Sequence, residues 1–267
     1  MRLLSALVLM AGLPIAGLLA EERDPSPAEI DQIIAKFAAN EAAFQRAREN
    51  YTYRQTARVL EIEEGGRQGG RFELVSDIVF PGGKRSEKVV RAPVTTLAHI
   101  QLTPEDEQDL RSVQPFVLTT KDIDKYWVRY LGPEKLDEIE CYAFAVKPKK
   151  LEPGQRYFQG IVWVDDHDLQ IVKSYGRGVG VIKKNFDNQF PKFETYREQV
   201  DGKYWFPTYT VANDTLFFET GPQRIRMTVR YEDYKQFKID TKIIFEDTPA
   251  PAAALKPEQK KSEQKKQ

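Results

Sequence analysis

Residues 26–80 read SPAEIDQIIAKFAANEAAFQRARENYTYRQTARVLEIEEGGRQGGRFELVSDIVF, and within this stretch the hydrophobic period changes once. Ser26-Pro27-Ala28-Glu29 combines a capping box with proline at the first helical position. Ile30, Ile33, Ile34, Phe37 and Phe44 then recur at helical spacing, with Asp31, Lys36, Glu41 and Arg46 assigned to other faces. The spacing predicts a helix ending near Arg48 or Glu49. From Asn50 the period becomes two: Tyr51, Tyr53, Ala57 and Val59 alternate with Thr52, Arg54, Thr56 and Arg58. Gly65-Gly66 and Gly69-Gly70 mark the turn, and Phe72, Leu74, Ile78 and Phe80 form the next inward set. An amphipathic helix is thus followed at once by strands whose apolar face it can cover.

The alternating signal continues along the chain. A third strand is expected over 85–91, and Thr103-Pro104-Glu105-Asp106 starts a short helix reaching about Val113. Strands follow over 126–131 and 139–147, then hairpins pairing 160–164 with 170–175 and 193–200 with 204–212. Segments 216–219 and 225–234 complete the series, with 243–246 as an extra strand. Many short strands joined by hairpin turns indicate an antiparallel sheet or barrel. The expected class is mainly β with α (α+β), a strongly curved antiparallel sheet with helices covering its concave face.

The ends read differently. Arg2 precedes the uncharged run LLSALVLMAGLPIAGLLA and a small residue, Ala20, before Glu21-Glu22-Arg23. That is the layout of a secretory signal peptide over 1–20, with a single transmembrane anchor as the competing reading. The tail 248–267 carries five lysines against two glutamates and no aromatic residue, so disorder is expected there, leaving 21–247 as one domain. With 40 basic and 40 acidic residues overall, the chain lacks the basic surplus of a nucleic-acid binder. A single cysteine, Cys141, excludes a disulfide framework and a Cys-rich zinc site, and reads as a small buried hydrophobe. Export points to a periplasmic location with at most peripheral membrane contact, to which the basic tail would add weak attraction.

Three local patterns resemble the LolA-like outer-membrane lipoprotein carriers and the related lipoprotein-sorting-type proteins. They are Glu138-Ile139-Glu140-Cys141-Tyr142-Ala143-Phe144-Ala145-Val146-Lys147-Pro148, then Gly160-Ile161-Val162-Trp163-Val164-Asp165 with Leu169-Gln170-Ile171-Val172-Lys173, and Trp205-Phe206-Pro207-Thr208-Tyr209. The resemblance implies an incomplete, bent β-barrel lidded by helices, with an apolar cavity for acyl chains, carrying or sensing lipidated cargo in the bacterial envelope. This chain is longer than the carriers and ends in a basic tail that does not align. The carriers' cavity arginine matches no single position, so no gating residue is carried over.

Chemistry is sparse by comparison. Asp165-Asp166-His167-Asp168 lacks the glycine and terminal glutamate of a calcium loop and reads as a hairpin turn. Gly176-Arg177-Gly178-Val179-Gly180 follows a strand rather than opening a helix, so it reads as a flexible connection or bulge rather than a phosphate cradle. Ser112, Ser174, His99 and His167 fall in no nucleophile motif, so no enzyme activity, cofactor or metal is expected. Strand parity instead nominates a ligand-binding set: Phe72, Leu74, Ile78, Phe80, Tyr142, Phe144, Ile161, Trp163, Ile225, Met227 and Val229, with Phe37 from the helix. Parity leaves open whether these fill a core or line a pocket; the resemblance favours a pocket. Burial contributes about 0.8 kcal/mol per methylene, so a twelve-carbon chain gains about 10 kcal/mol before association costs. The expected partner is a lipid acyl chain or lipidated protein. The alternative is an envelope sensor or interaction module of the same fold that binds a protein partner without lipid transport.

Overall fold

A computed structural model describes residues 24–181, 190–218 and 220–237. The signal segment 1–20, the extra strand expected at 243–246 and the tail 248–267 lie outside the described residues. So do Lys183-Lys184 and Asn185-Phe186-Asp187-Asn188, which follow the glycine run.

Helix α1 spans Pro27–Arg48 and starts where the sequence places it. The Ser26 hydroxyl accepts from the Glu29 N–H, and the Glu29 carboxylate accepts in return from the Ser26 N–H at 2.7 Å. Phe37, Ala38, Glu41 and Phe44 form its buried face. The inclusion of Glu41 corrects the sequence reading: positions 37, 41 and 44 share one face of a helix, and an acid sits in the middle of it.

Among the described residues ten strands form a single sheet: β1 Tyr51–Ile62, β2 Gln68–Val79, β3 Ser86–Arg91, β4 Tyr126–Leu136, β5 Ile139–Pro148, β6 Arg156–Asp165, β7 Ile171–Gly180, β8 Phe193–Gln199, β9 Trp205–Phe218 and β10 Gly221–Gln236. Every neighbouring pair is antiparallel, in the order β3-β2-β1-β10-β9-β8-β7-β6-β5-β4. The segments expected at 204–212 and 216–219 are one continuous strand, β9, which pairs with β10 through Gly221↔Phe218. The first and last of these strands, β1 and β10, pair inside the sheet, third and fourth from the β3 edge. Its open edges, β3 and β4, are consecutive in the chain.

Every strand except β3 sends residues into one buried cluster shared with α1. Nine strands lying flat would span about 38 Å at the usual spacing near 4.8 Å, whereas a helix is only about 10 Å across. One helix can serve them all only because the sheet curls around it. The second cover is not the expected second helix. α2 spans only Pro104–Gln108 and buries none of its residues, and it passes into a π-turn over Asp109–Val113. The cover is the whole connection 92–125, which joins the two open edges and contributes Leu110, Val113, Phe116 and Leu118 to the core.

The buried acid is matched. Arg197 on β8 bonds both oxygens of Glu41, at 3.0 and 3.2 Å, and both side chains are almost wholly buried. Glu41 Oε1 also accepts from the Ile171 N–H of β7 at 3.0 Å, while Arg197 donates to the Phe116 carbonyl of the connection. Burial pushes the Glu41 carboxyl up and the Arg197 guanidinium down from their ordinary values, against their mutual attraction. Removing one partner strands the other charge in the core. Glu41→Ala or Arg197→Met is therefore expected to cost about 3–5 kcal/mol in urea unfolding, whereas Glu41→Leu combined with Arg197→Met recovers most of that loss.

Candidate functional site

The connection 92–125 leaves an unfilled space against one half of the sheet. The floor is Val59 of β1, Leu216 of β9, and Ile225 and Met227 of β10. The roof is Ile100, Leu102, Leu110 and Gln114 of the connection, with Phe190 and Phe193 beside them. Thr103, Asp106 and Asp109 supply a polar end. The volume is about 80 Å³. A second space of about 230 Å³, floored by Ala57, Phe72 and Leu74, shares Leu102 and Leu110 with the first. Ligand pockets typically hold about 300–1,000 Å³, so each space alone is undersized for a lipid chain. The surplus interior expected from parity is small.

The roof is held by polar fastenings rather than by regular structure. The Glu61 carboxylate of β1 accepts the backbone N–H groups of Ala98, His99 and Ile100 at 2.6–3.0 Å. Burial alone would raise this carboxyl, but the three N–H bonds together hold it below its ordinary value of 4.5. Gly70 makes the approach possible, because a Cβ there would lie 2.3 Å from the Thr96 carbonyl and 2.5 Å from Glu61 Oε2. At the other end, Arg156 of β6 grips Asp109 with two bonds of 2.6 and 2.7 Å, both side chains nearly fully buried. Burial pushes the Asp106 and Asp109 carboxyls up despite Arg156.

The glycine run is corrected here. Gly176, Gly178 and Gly180 belong to β7 rather than to a loose connection. A Cβ at Gly178 would lie 2.0 Å from Asp109 Oδ2, so the bare backbone makes room for the Asp109–Arg156 pair.

The nominated residues divide. Ile225 and Met227 line the first space, and Phe72 and Leu74 the second. Phe37, Ile78, Phe80, Phe144 and Val229 are packed in the core. Tyr142 borders a separate depression with Ile33 and Leu169 beside α1. Ile161 and Trp163 are corrections: they lie on the opposite face, in a small cluster with Cys141, Ala143 and Val172. The inward residues of β6 are Phe158, Val162 and Val164. Residues 161–164 are apolar throughout, so parity had no polar partner to fix the face. Roof residues Leu102, Leu110 and Gln114 escaped the sequence reading because they lie on irregular backbone with no period.

Elsewhere the chemistry is local. Asp165 Oδ1 accepts from the His167 N–H at 2.9 Å, closing its own turn, and ligand-type atoms of Asp165, Asp166 and His167 lie within 4.8 Å of one another. Cys141 is buried, and burial pushes its thiol up to about 12. His99 is exposed, held by its backbone N–H to Glu61. Among the described residues no helix is long and apolar enough to cross a membrane.

No protein-family model and no curated protein matches this chain. Similar solved structures are LolA-superfamily and lipoprotein-sorting proteins. A LolA superfamily protein from Nitrosomonas europaea is 15% identical with a TM-score of 0.35, covering 81% of this chain and 97% of its own. A putative outer membrane lipoprotein-sorting protein domain from Vibrio parahaemolyticus is 12% identical with a TM-score of 0.36, covering 76% and 93%. The Pseudomonas aeruginosa MucA/MucB complex contains a chain 12% identical with a TM-score of 0.24, covering 76% and 100%. At these scores the likeness carries no functional weight.

The Glu61 fastening has a defined pH window. A carboxyl held below its ordinary value stabilises the fold fully above that value, here 4.5, and the contribution is lost as pH falls through the lower folded value. Glu61→Ala is expected to lower hydrogen-exchange protection of the Ala98, His99 and Ile100 amides at least about tenfold at pH 7, since bonds to a charged acceptor are worth about 1.5–3 kcal/mol. The β1–β10 ladder should be unchanged, and the wild-type protein should lose the same protection on acidification.

Proposed function

We propose that this protein is an exported, non-catalytic LolA-like binder of hydrocarbon that holds an acyl chain, free or on a lipidated protein, as a carrier or chaperone in the bacterial envelope. The supporting observation is the apolar space between the curled sheet and a connection fastened to it at a few polar points. Leu102 and Leu110 border both spaces, so a shift of the 97–102 segment would merge them. The energies are comparable. Releasing three charge-assisted bonds at Glu61 costs about 4.5–9 kcal/mol, against about 10 kcal/mol gained by burying twelve methylenes. Association costs come out of the same gain, so admission favours longer chains. The signal segment supplies the route out of the cytoplasm.

A second reading, a protein-interaction module, draws on the open sheet edge. Strand β4 has a neighbour on one side only, and Trp127 and Leu131 are exposed along it. Unpaired backbone groups on such an edge accept an added strand.

Lipid extraction with native mass spectrometry, together with uptake of the neutral dye Nile red, separates the two. The hydrocarbon reading expects co-purified lipid or saturable dye uptake, reduced at least about fivefold by Leu102→Trp, which fills the shared wall. Empty protein that also takes up no dye would overturn it. Capture of an envelope protein that persists in Leu102→Trp would favour the edge.

A further inference from the structure

Strand β8 stops short of both its neighbours. Its pairing with β7 ends at Gly176↔Phe193 and its pairing with β9 at Glu194↔Val211. β7 nevertheless runs on to Gly180 and β9 to Phe218. Pro191 has no N–H to give a ladder, and the Lys192 N–H turns to the Asp214 carboxylate at 3.0 Å, so residues 190–192 do not lengthen the strand. On this side the last four residues of β7 have no strand partner among the described residues. A notch of about 550 Å³ lies between the ends of β7 and β9.

The notch adjoins the cavity, because Phe190 and Leu216 line both. Phe190 is half-buried and belongs to no strand, so moving its ring disturbs no ladder bond. Its inner support is the Arg156 guanidinium, 3.8 Å from the ring centroid. Arg156 is itself committed to Asp109, so the cations within reach of an arriving ligand are those of the notch.

The notch joins hydrocarbon to positive charge. Leu151 and Phe217 are 41% and 65% exposed at its rim, with Val179 half-buried between the strands. Arg177 and Lys192 are exposed and line the same space, and neither makes an ion pair among the described residues. Asp214 is the acid of this wall, and both its oxygens are spent: Oδ2 accepts from the Lys192 N–H and Oδ1 from the Thr215 N–H at 2.8 Å. Two cations against one occupied carboxylate leave the notch positive. A ligand seated here keeps its charged head against exposed cations and in water while its tail enters apolar surroundings, so no ion is buried.

We propose, resting on the hydrocarbon-binding reading, that the notch is the mouth of the binding site and favours acyl chains with an anionic head, which Arg177 and Lys192 receive while the chain passes Phe190 and Leu216 into the cavity. Carboxylate and phosphate monoester heads share this chemistry.

The test is competition against Nile red bound to the exported protein at pH 8 and low salt, using dodecanoate, dodecyl phosphate, 1-dodecanol and dodecyltrimethylammonium below their aggregation concentrations. At least one anionic chain should displace the dye at a concentration about fivefold below dodecanol and about tenfold below the cation, the modest factor expected of exposed charges. The better of the two anions identifies the head. Arg177→Gln with Lys192→Gln should bring that anion to within about twofold of dodecanol and leave dodecanol and dye binding unchanged. Lys88→Gln with Lys235→Gln removes the same charge from exposed positions on β3 and β10 outside the notch, and should leave the ranking intact. Val179→Trp, which narrows the notch, should slow entry of the preferred anion at least about fivefold in stopped-flow fluorescence. Equal binding of all four chains would overturn the proposal, as would a ranking that survives loss of Arg177 and Lys192 or collapses equally with Lys88 and Lys235. Unchanged entry in Val179→Trp would overturn the route. Each of those results leaves hydrocarbon binding standing, whereas failure of Nile red itself sinks the underlying reading as well.

Discussion

The Glu41–Arg197 pair is the constraint on which the rest of the interior depends. Two ions of opposite sign, each withdrawn from water at a cost of several kcal/mol, are tolerable only while they face one another. They sit where α1, β7, β8 and the connection 92–125 converge, and each element gives or receives a hydrogen bond there. The Arg197 guanidinium also lies 5.1 Å from the centroid of the Phe44 ring, which packs edge-on against Phe206. Sliding α1 by one turn would separate the charges, so the helix has one seat. Its buried face joins the cluster it shares with nine strands.

The connection 92–125 is held by a different physics. It contributes a few leucines and is tied down by carboxylates at Glu61 and Asp109 rather than by a continuous helix. Such fastenings are strong when made but local, and each can open without disturbing the sheet ladders. The two unfilled spaces lie under this roof and not under α1. Binding capacity and weak packing therefore coincide, as expected where a ligand must displace part of the protein to enter. Gly70 and Gly178 show that the backbone itself is shaped for the fastenings, because a side chain at either position would occupy the place of a carboxylate oxygen.

Much of the fold is legible in the order of the residues. The capping box at Ser26, the change of period at Asn50 and the succession of hairpins place α1 and the strands close to where they lie. The candidate site is legible only in part. Phe72, Leu74, Ile225 and Met227 border the cavities, as alternation along clean half-polar strands suggests. Ile161 and Trp163 do not, because residues 161–164 are all apolar and period two within that stretch cannot choose between its faces. Gln114, Leu102 and Leu110 carry no period at all, and their roles arise from the sheet edges that their segment bridges.

The sequence by itself therefore determined the local conformations and the sheet class, since capping, turns and alternation are set by residues a few positions apart. Tertiary structure alone decided which acid is buried, which glycines are obligatory and where space remains. Glu41 reads as a surface residue until a partner 156 positions away is brought to 3.0 Å. Gly178 reads as a loop residue until Asp109 is laid across it. Those meetings depend on how far the sheet curls and on where the chain must cross to join its open edges, and no short window of residues encodes either.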